Sequence, residues 1–336
     1  MKKLIVLAVM LLMISGCGQK SVLEELGYEK EEITLIESLG EEATTLVESL
    51  AYNPEIVDII NAEGFLKDSL GDYLKMDSSL SIEDRIMIVN KGYFYDYYDQ
   101  TVLDFMKTPF YIHSRLSRYL DFYAKESMDY RDVIEHVNAD RDLIPYEEWQ
   151  DANVDDGYLV LCNKYNSLGK YEPEDLVGIE ERYGLHSTLR YEAYENFKDM
   201  CDDMANLGLN IWATSAYRSY NKQLSNYNNY LTYDSVAEVD SYCARPGFSE
   251  HQTGLVVDVI TPGGDLGSFQ YSNEYQWMKD HSYEYGFILR YPEDKEDITG
   301  YVFESWHYRY VGKDVAKYIY DQDITLDEYH AYFIEK

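Results

Sequence analysis

Arg245-Pro246-Gly247-Phe248-Ser249-Glu250-His251-Gln252-Thr253-Gly254-Leu255-Val256-Val257-Asp258 carries the strongest architectural signal in the chain. A histidine and a glycine precede an apolar run that carries an aspartate. Leu255 to Ile260 reads as a strand, so side chains alternate between faces and Asp258 shares one with Val256 and Ile260. An ionised carboxylate among aliphatic side chains is costly unless it meets a metal or another cation. His251 lies just upstream, within reach of the same point. Glu304-Ser305-Trp306-His307 supplies an acid and a second histidine three positions apart. Two histidines, one aspartate and a spare glutamate are the parts of a catalytic zinc site. Three side chains hold the ion, water takes the open position and the glutamate handles protons.

Two further blocks frame this one. Ser215-Ala216-Tyr217-Arg218-Ser219-Tyr220-Asn221-Lys222-Gln223 comes before it, and Glu304-Ser305-Trp306-His307-Tyr308-Arg309-Tyr310 after it. In this order the three blocks resemble the zinc D-alanyl-D-alanine carboxypeptidases of the VanY type, over roughly Asp156 to Val311. That family trims the last D-alanine from peptidoglycan stem peptides. The resemblance implies one Zn2+ per chain on His251, Asp258 and His307, with Glu304 as the general base. It implies that Arg218 polarises the scissile carbonyl or steadies the tetrahedral oxyanion, and that Gln223 and Ser249 line the substrate site. Arg218 read alone also fits a surface ion pair, given the many acids. Trp306, Tyr308 and Tyr310 read as core and cleft wall. The other histidines, His113, His136, His186, His281 and His330, read as structural or surface residues.

Met1-Lys2-Lys3 is a short basic region, and Leu4 to Ile14 is an apolar run below the ~20 residues that span a bilayer. The run ends in Ile14-Ser15-Gly16-Cys17, which resembles a bacterial lipoprotein signal. The expectation is a signal peptide over 1–16 and a lipid anchor on Cys17, at the extracytoplasmic face of the cell membrane. Cys162, Cys201 and Cys243 then remain. Their spacing offers no CxxC zinc site, and they read as mostly free and partly buried, with one bridge open to them.

Sixty-two acids against 29 bases give a net charge of −33, which argues against nucleic acid as a partner, since phosphates need a basic face. It also argues against attachment through anionic headgroups, so the membrane link would be the lipid itself.

The organisation expected is a helical region over 17–150 and the peptidase domain over 151–336, α+β with an antiparallel sheet. Asn53-Pro54-Glu55 and Ser81-Ile82-Glu83-Asp84 are helix starts, with Gly64 and Gly92 as stops. Gly27-Tyr28, Gly64-Phe65 and Gly92-Tyr93 hint at a helical repeat of irregular period. Strands are expected at Tyr158 to Leu161, Leu209 to Thr214, Leu255 to Ile260, Phe287 to Arg290 and Trp306 to Tyr310. Helices are expected at roughly Ser187 to Leu207, Asn221 to Tyr233 and Asn273 to Tyr285.

Two other functions have some support in the sequence. Ser167-Leu168-Gly169-Lys170 and Ser219-Tyr220-Asn221 match two elements of a serine D,D-peptidase, but the KTG-like element is missing and Gly169 disfavours the helix that SxxK needs. A surface lipoprotein that binds wall peptide without cleaving it is the alternative from another class.

Overall fold

The structure, a computed structural model, describes residues 20–93 and 98–335. The expected signal segment and Cys17 lie outside the described residues. The chain divides into two compact units, Met1–Asp99 and Gln100–Lys336. The second begins well before the change of composition near residue 150.

The first unit is helical: Val22–Leu26, Lys30–Ser38, Glu41–Glu48, Glu55–Asn61, Leu70–Tyr73 and Ile82–Lys91. One apolar side of each turns inward, so that Leu23, Ile36, Val47, Ile56, Ile59, Leu70, Tyr73 and Ile86 make one core. Asn53 accepts from the Glu55 N–H at 3.0 Å, and Ser81 caps its helix through the Asp84 N–H, as the sequence predicts.

A repeat is present, but not in the phase that the glycines suggested. Gly27 and Gly92 are left-handed helix caps, whereas Gly64 lies in a loop. The repeated element is a tyrosine–asparagine clasp. The Leu66 N–H donates to the Tyr73 hydroxyl, which donates to Asn90 Oδ1, and Asn90 Nδ2 donates to the Gly64 carbonyl. In the second unit Ile112, Tyr119, Asn138 and the Phe110 carbonyl make the same circuit at 3.2, 2.6 and 3.0 Å. Asp129 replaces Ser81 as the cap, and Asp140 (φ 59°) replaces Gly92 (φ 69°) at the left-handed position. Aspartate tolerates that conformation, which hides the repeat from a search for glycines.

In the second unit the helices Gln100–Lys107, Leu116–Tyr123 and Tyr130–Asn138 precede two short strand pairs. Those are β1 (Gln150–Asp151) with β2 (Asn166–Ser167), parallel, and β3 (Leu176–Gly178) with β4 (Thr188–Arg190), antiparallel. The main sheet is antiparallel, in the order β5 (Trp212–Ser215), β6 (Val256–Ile260), β8 (His307–Tyr310) and β7 (Phe287–Leu289). The unit is therefore α+β, as expected. On one face of the sheet Ala213, Val257, Val259, Phe287, Tyr308 and Tyr310 join Phe197, Met200 and Met204 of the helix Tyr191–Asn206 in a dry core. The opposite face carries Asp258, His307 and Arg309.

Tyr158 to Leu161 is not a strand. Val154–Leu159 is a 3₁₀ segment kinked at Gly157 (φ 65°). The carbonyls of Tyr158 and Val160 accept from Arg309 Nη2 at 2.9 and 2.8 Å, so a buried guanidinium takes acceptors that a neighbouring strand would use. Ser167 lies in β2 and Gly169 has φ 54°, so Ser167–Lys170 forms no helix and the serine-peptidase arrangement is absent. Cys162, Cys201 and Cys243 are free and buried. Among the described residues no helix is long and apolar enough to cross a membrane.

Candidate metal centre

Sheet register brings the polar residues together. Asp258 of β6 stands opposite Ser215 of β5 on one side and His307 of β8 on the other. Directly paired residues share a face, so all three project into the same space. A bulge between Ala213 and Ser215 shifts the register there and brings Ser215 opposite Asp258. His251 arrives from the 3₁₀ turn Glu250–Thr253, which ends at Gly254 (φ 68°). A side chain at Gly254 would meet Leu176 at 2.8 Å and Arg190 at 3.0 Å, so only glycine joins this turn to β6.

The hydrogen bonds set the orientation of one imidazole. His251 Nδ1 lies 2.7 Å from the Ala216 carbonyl, which can only accept, so Nδ1 carries the proton and Nε2 presents a lone pair. That Nε2 is 3.2 Å from Asp258 Oδ2. His307 Nδ1 is 3.2 Å from Asp258 Oδ1 and 3.4 Å from Glu304 Oε2. One ligand atom from each of His251, Asp258 and His307 falls within 4.8 Å of the others, and all three residues are buried.

The electrostatics ask for a cation at this point. Burial opposes a charged His307, but the carboxylates of Asp258 and Glu250 outweigh it and push it up to about 9. Asp258 is held well below the usual carboxylate range by the two histidines, against burial. Its buried Oδ1 has the ion-pair contact with His307 Nδ1 at 3.2 Å but no well-aligned hydrogen bond, and a metal would satisfy it. Burial pushes Glu304 up to about 7, with His307 opposing and Asp258 adding to the rise.

These side chains form the floor of a cleft of about 370 Å³, which Arg218, Gln223 and Ser249 also line. Arg218 is oriented from both sides: Nη1 donates to Gln223 Oε1 at 2.8 Å, Nη2 donates to Ser215 Oγ at 3.0 Å, and Nη2 stands 3.9 Å from Asp258. Arg218 is therefore no surface ion pair. Gln223 is 1% exposed, and its Nε2 donates to the Ala244 carbonyl at 2.6 Å. The Gln223 amide is thus engaged on both ends and acts on Arg218. Ser249 is buried in the cleft wall. Sequence reading missed the aromatic wall of Tyr230, Tyr242, Tyr291 and Tyr301. It also missed the burial of Glu250 between Arg290 and Arg309. Strand alternation was the available signal for Arg309, two residues beyond His307 on the same face. Nothing local marked Arg290.

Residues 186–313 match the family described as VanY, D-alanyl-D-alanine carboxypeptidase. The putative carboxypeptidase YodJ of Bacillus subtilis (strain 168) is 41% identical over 180 residues, 51% of this chain and 66% of that protein. The chain thus spans just under two thirds of that relative's length. The bifunctional D-Ala-D-Ala dipeptidase and D-Ala-D-Ala carboxypeptidase VanXYC of Enterococcus gallinarum is 38% identical over 130 residues, 37% of this chain and 68% of that protein. Among solved structures, that of the LdcB LD-carboxypeptidase, concerned with peptidoglycan recognition, aligns with a TM-score of 0.52 at 37% identity, over 55% of this chain and 91% of that one.

Proposed function

The chain belongs to the VanY family of D-alanyl-D-alanine carboxypeptidases, and on that premise we propose that it removes the C-terminal D-alanine from peptidoglycan stem peptides, with one zinc ion held by His251, Asp258 and His307. The observation that carries this reading is the convergence of those three ligand atoms beside Glu304 and Arg218 on the cleft floor. The donor set suits zinc: two imidazole nitrogens and a carboxylate, with the remaining position free for water or substrate. Zinc held there supplies Lewis acidity and makes water a better nucleophile at neutral pH.

The chain's own groups do the rest. Glu304 takes the proton of the attacking water and returns it to the leaving amine. Burial pushes this carboxyl up to about 7 in the metal-free chain, and a bound cation would draw it down, toward a group that is ionised near neutrality and can accept the proton. Arg218, held by Gln223 and Ser215, faces the cleft as a fixed donor for a carbonyl oxygen as charge develops on it, or for the peptide's terminal carboxylate. Cys17 would tether the enzyme to the outer face of the membrane, close to its substrate.

The test is mass spectrometry of purified stem peptides incubated with the full mature chain. Loss of one terminal alanine, abolished by a chelator and restored by zinc, supports the reading. Cleavage unaffected by chelation removes the metal from it, and binding without cleavage favours the non-catalytic alternative.

A further inference from the structure

Beneath the cleft floor lies a cluster of four charged side chains whose side-chain exposures do not exceed 1%: Glu250, Arg290, Arg309 and Asp327. Glu250 Oε1 accepts from Arg290 Nε at 2.8 Å and from Arg309 Nη1 at 2.9 Å. Arg290 Nη1 donates to Asp327 Oδ2 at 2.7 Å, and Asp327 Oδ1 accepts from Asn163 Nδ2 at 2.8 Å. Two positive and two negative charges balance, which is the condition for burying any of them. One carboxylate oxygen is left over. Glu250 Oε2 has no hydrogen-bond partner, and it faces His307 Nε2, which has none either, at 3.6 Å. Closing that gap by about 0.7–0.9 Å, within reach of a side-chain torsion, would make it a charge-assisted hydrogen bond.

His307 Nε2 is the far edge of the ring. The near edge, Nδ1, faces Asp258 and Glu304. A neutral imidazole carries its proton on one nitrogen only, so whatever accepts at Nε2 decides whether Nδ1 has a lone pair to offer. We propose that Glu250 is a positioning residue for His307: its Oε2 accepts the Nε2–H, which leaves Nδ1 free to ligate, while Arg290 and Arg309 lock the carboxylate in place. Asp327 anchors Arg290 from the helix Leu326–Phe333, beyond the residues 186–313 that match the family. His251 receives the same service from a backbone carbonyl, at Ala216. The two ligand histidines are therefore oriented by different means, and only the one at His307 depends on a side-chain charge. Ligating histidines held from behind by a carboxylate or carbonyl are a general feature of metal sites.

The inference rests on the metal reading above, and its tests separate the two. The first needs no variant. In the zinc-loaded full chain labelled with ¹⁵N-histidine, long-range ¹H–¹⁵N spectra should report His307 protonated at Nε2 and metal-bound at Nδ1. The opposite tautomer overturns the inference. The second test replaces Glu250 by glutamine. Oxygen is then needed against the two arginines, so the amide NH2 turns toward His307 Nε2 and drives the ring proton to Nδ1. Zinc affinity of Glu250→Gln, measured by chelator competition, should fall about 10- to 100-fold, with an altered Co(II) absorption spectrum. Glu250→Asp, which retains the charge, should recover part of that loss, and Asp327→Asn should lose less than Glu250→Gln. Wild-type affinity and spectrum in Glu250→Gln overturn the inference while leaving the metal site standing. A wild-type chain that binds no zinc, or an Asp258→Ala variant that binds it as well as wild type, sinks the metal reading itself. If Glu250→Gln fails to fold, the tautomer in the wild-type protein decides.

Discussion

Replacing Glu304 by glutamine should make this protein less active and more stable at once. Glu304 is 9% exposed, and its carboxyl is pushed up to about 7 from an ordinary 4.5, chiefly by burial. An acid raised in the folded state binds its proton more tightly there than in the unfolded chain. Below pH 4.5 both states are protonated and the group costs nothing; stability then falls as pH rises from 4.5 to 7, and the whole cost is present above 7. A rise of that size corresponds to ~3 kcal/mol in the metal-free protein. The amide cannot ionise, so metal-free Glu304→Gln should exceed wild type by ~1–3 kcal/mol at about pH 8, a gap that closes toward the acid end of the range. Zinc beside the carboxylate lowers its pKa and hides the effect, so unfolding in urea is followed in the presence of a chelator. In the zinc-loaded protein the same change would remove the proposed proton acceptor, and turnover should drop by about 10²- to 10⁴-fold with zinc content unchanged. Wild-type activity in the acid limb should rise toward a value at or below about pH 7, because the cation can only pull the carboxyl down. Turnover within about a factor of two of wild type would exclude Glu304 as the base. A metal-free variant no more stable than wild type would refute the argument from burial.

Three further outcomes are expected. Amidating the terminal carboxylate of a D-alanine-ended peptide should reduce kcat/KM by the equivalent of ~2 kcal/mol or more, since Arg218 loses a charge-assisted partner; equal rates for acid and amide would favour an endopeptidase. Asn138→Ala leaves the Tyr119 hydroxyl and the Phe110 carbonyl without their partner in the repeated clasp, which should cost ~1–3 kcal/mol in urea unfolding; a change near zero would mean that the clasp is incidental to stability. Cys17→Ser should abolish incorporation of labelled fatty acid and release the protein from membranes, and persistent acyl label would place the anchor elsewhere.

Much of the candidate site was legible because its signals are local. Asp258 betrays itself as a carboxylate within an apolar strand, and Glu304 and His307 as an acid and a histidine three positions apart. Helix starts at Asn53-Pro54 and Ser81 announce themselves through side chains that cap their own neighbours. The strand expected at Tyr158 to Leu161 failed because an apolar run says nothing about what will occupy its carbonyls, and here Arg309 does. Glycines do not mark the repeat: its fixed members are Tyr73 with Asn90 and Tyr119 with Asn138, and the left-handed position accepts glycine in one copy and aspartate in the other.

Residue types and spacings that can hold a metal are legible in the sequence, as is the alternation that sets Asp258 on the face of Val256 and Ile260 and His307 on the face of Arg309. Which nitrogen of His251 is free, that Gln223 holds Arg218, and that Glu250 lies behind His307 emerge from the folded chain alone. The physical reason is range. Hydrogen-bonded caps and strand periodicity act between residues a few positions apart, whereas the charges of Glu250, Arg290, Arg309 and Asp327 become partners only when strand register and the final helix bring them into one dry space. Outside that space each would read as an ordinary solvated charge.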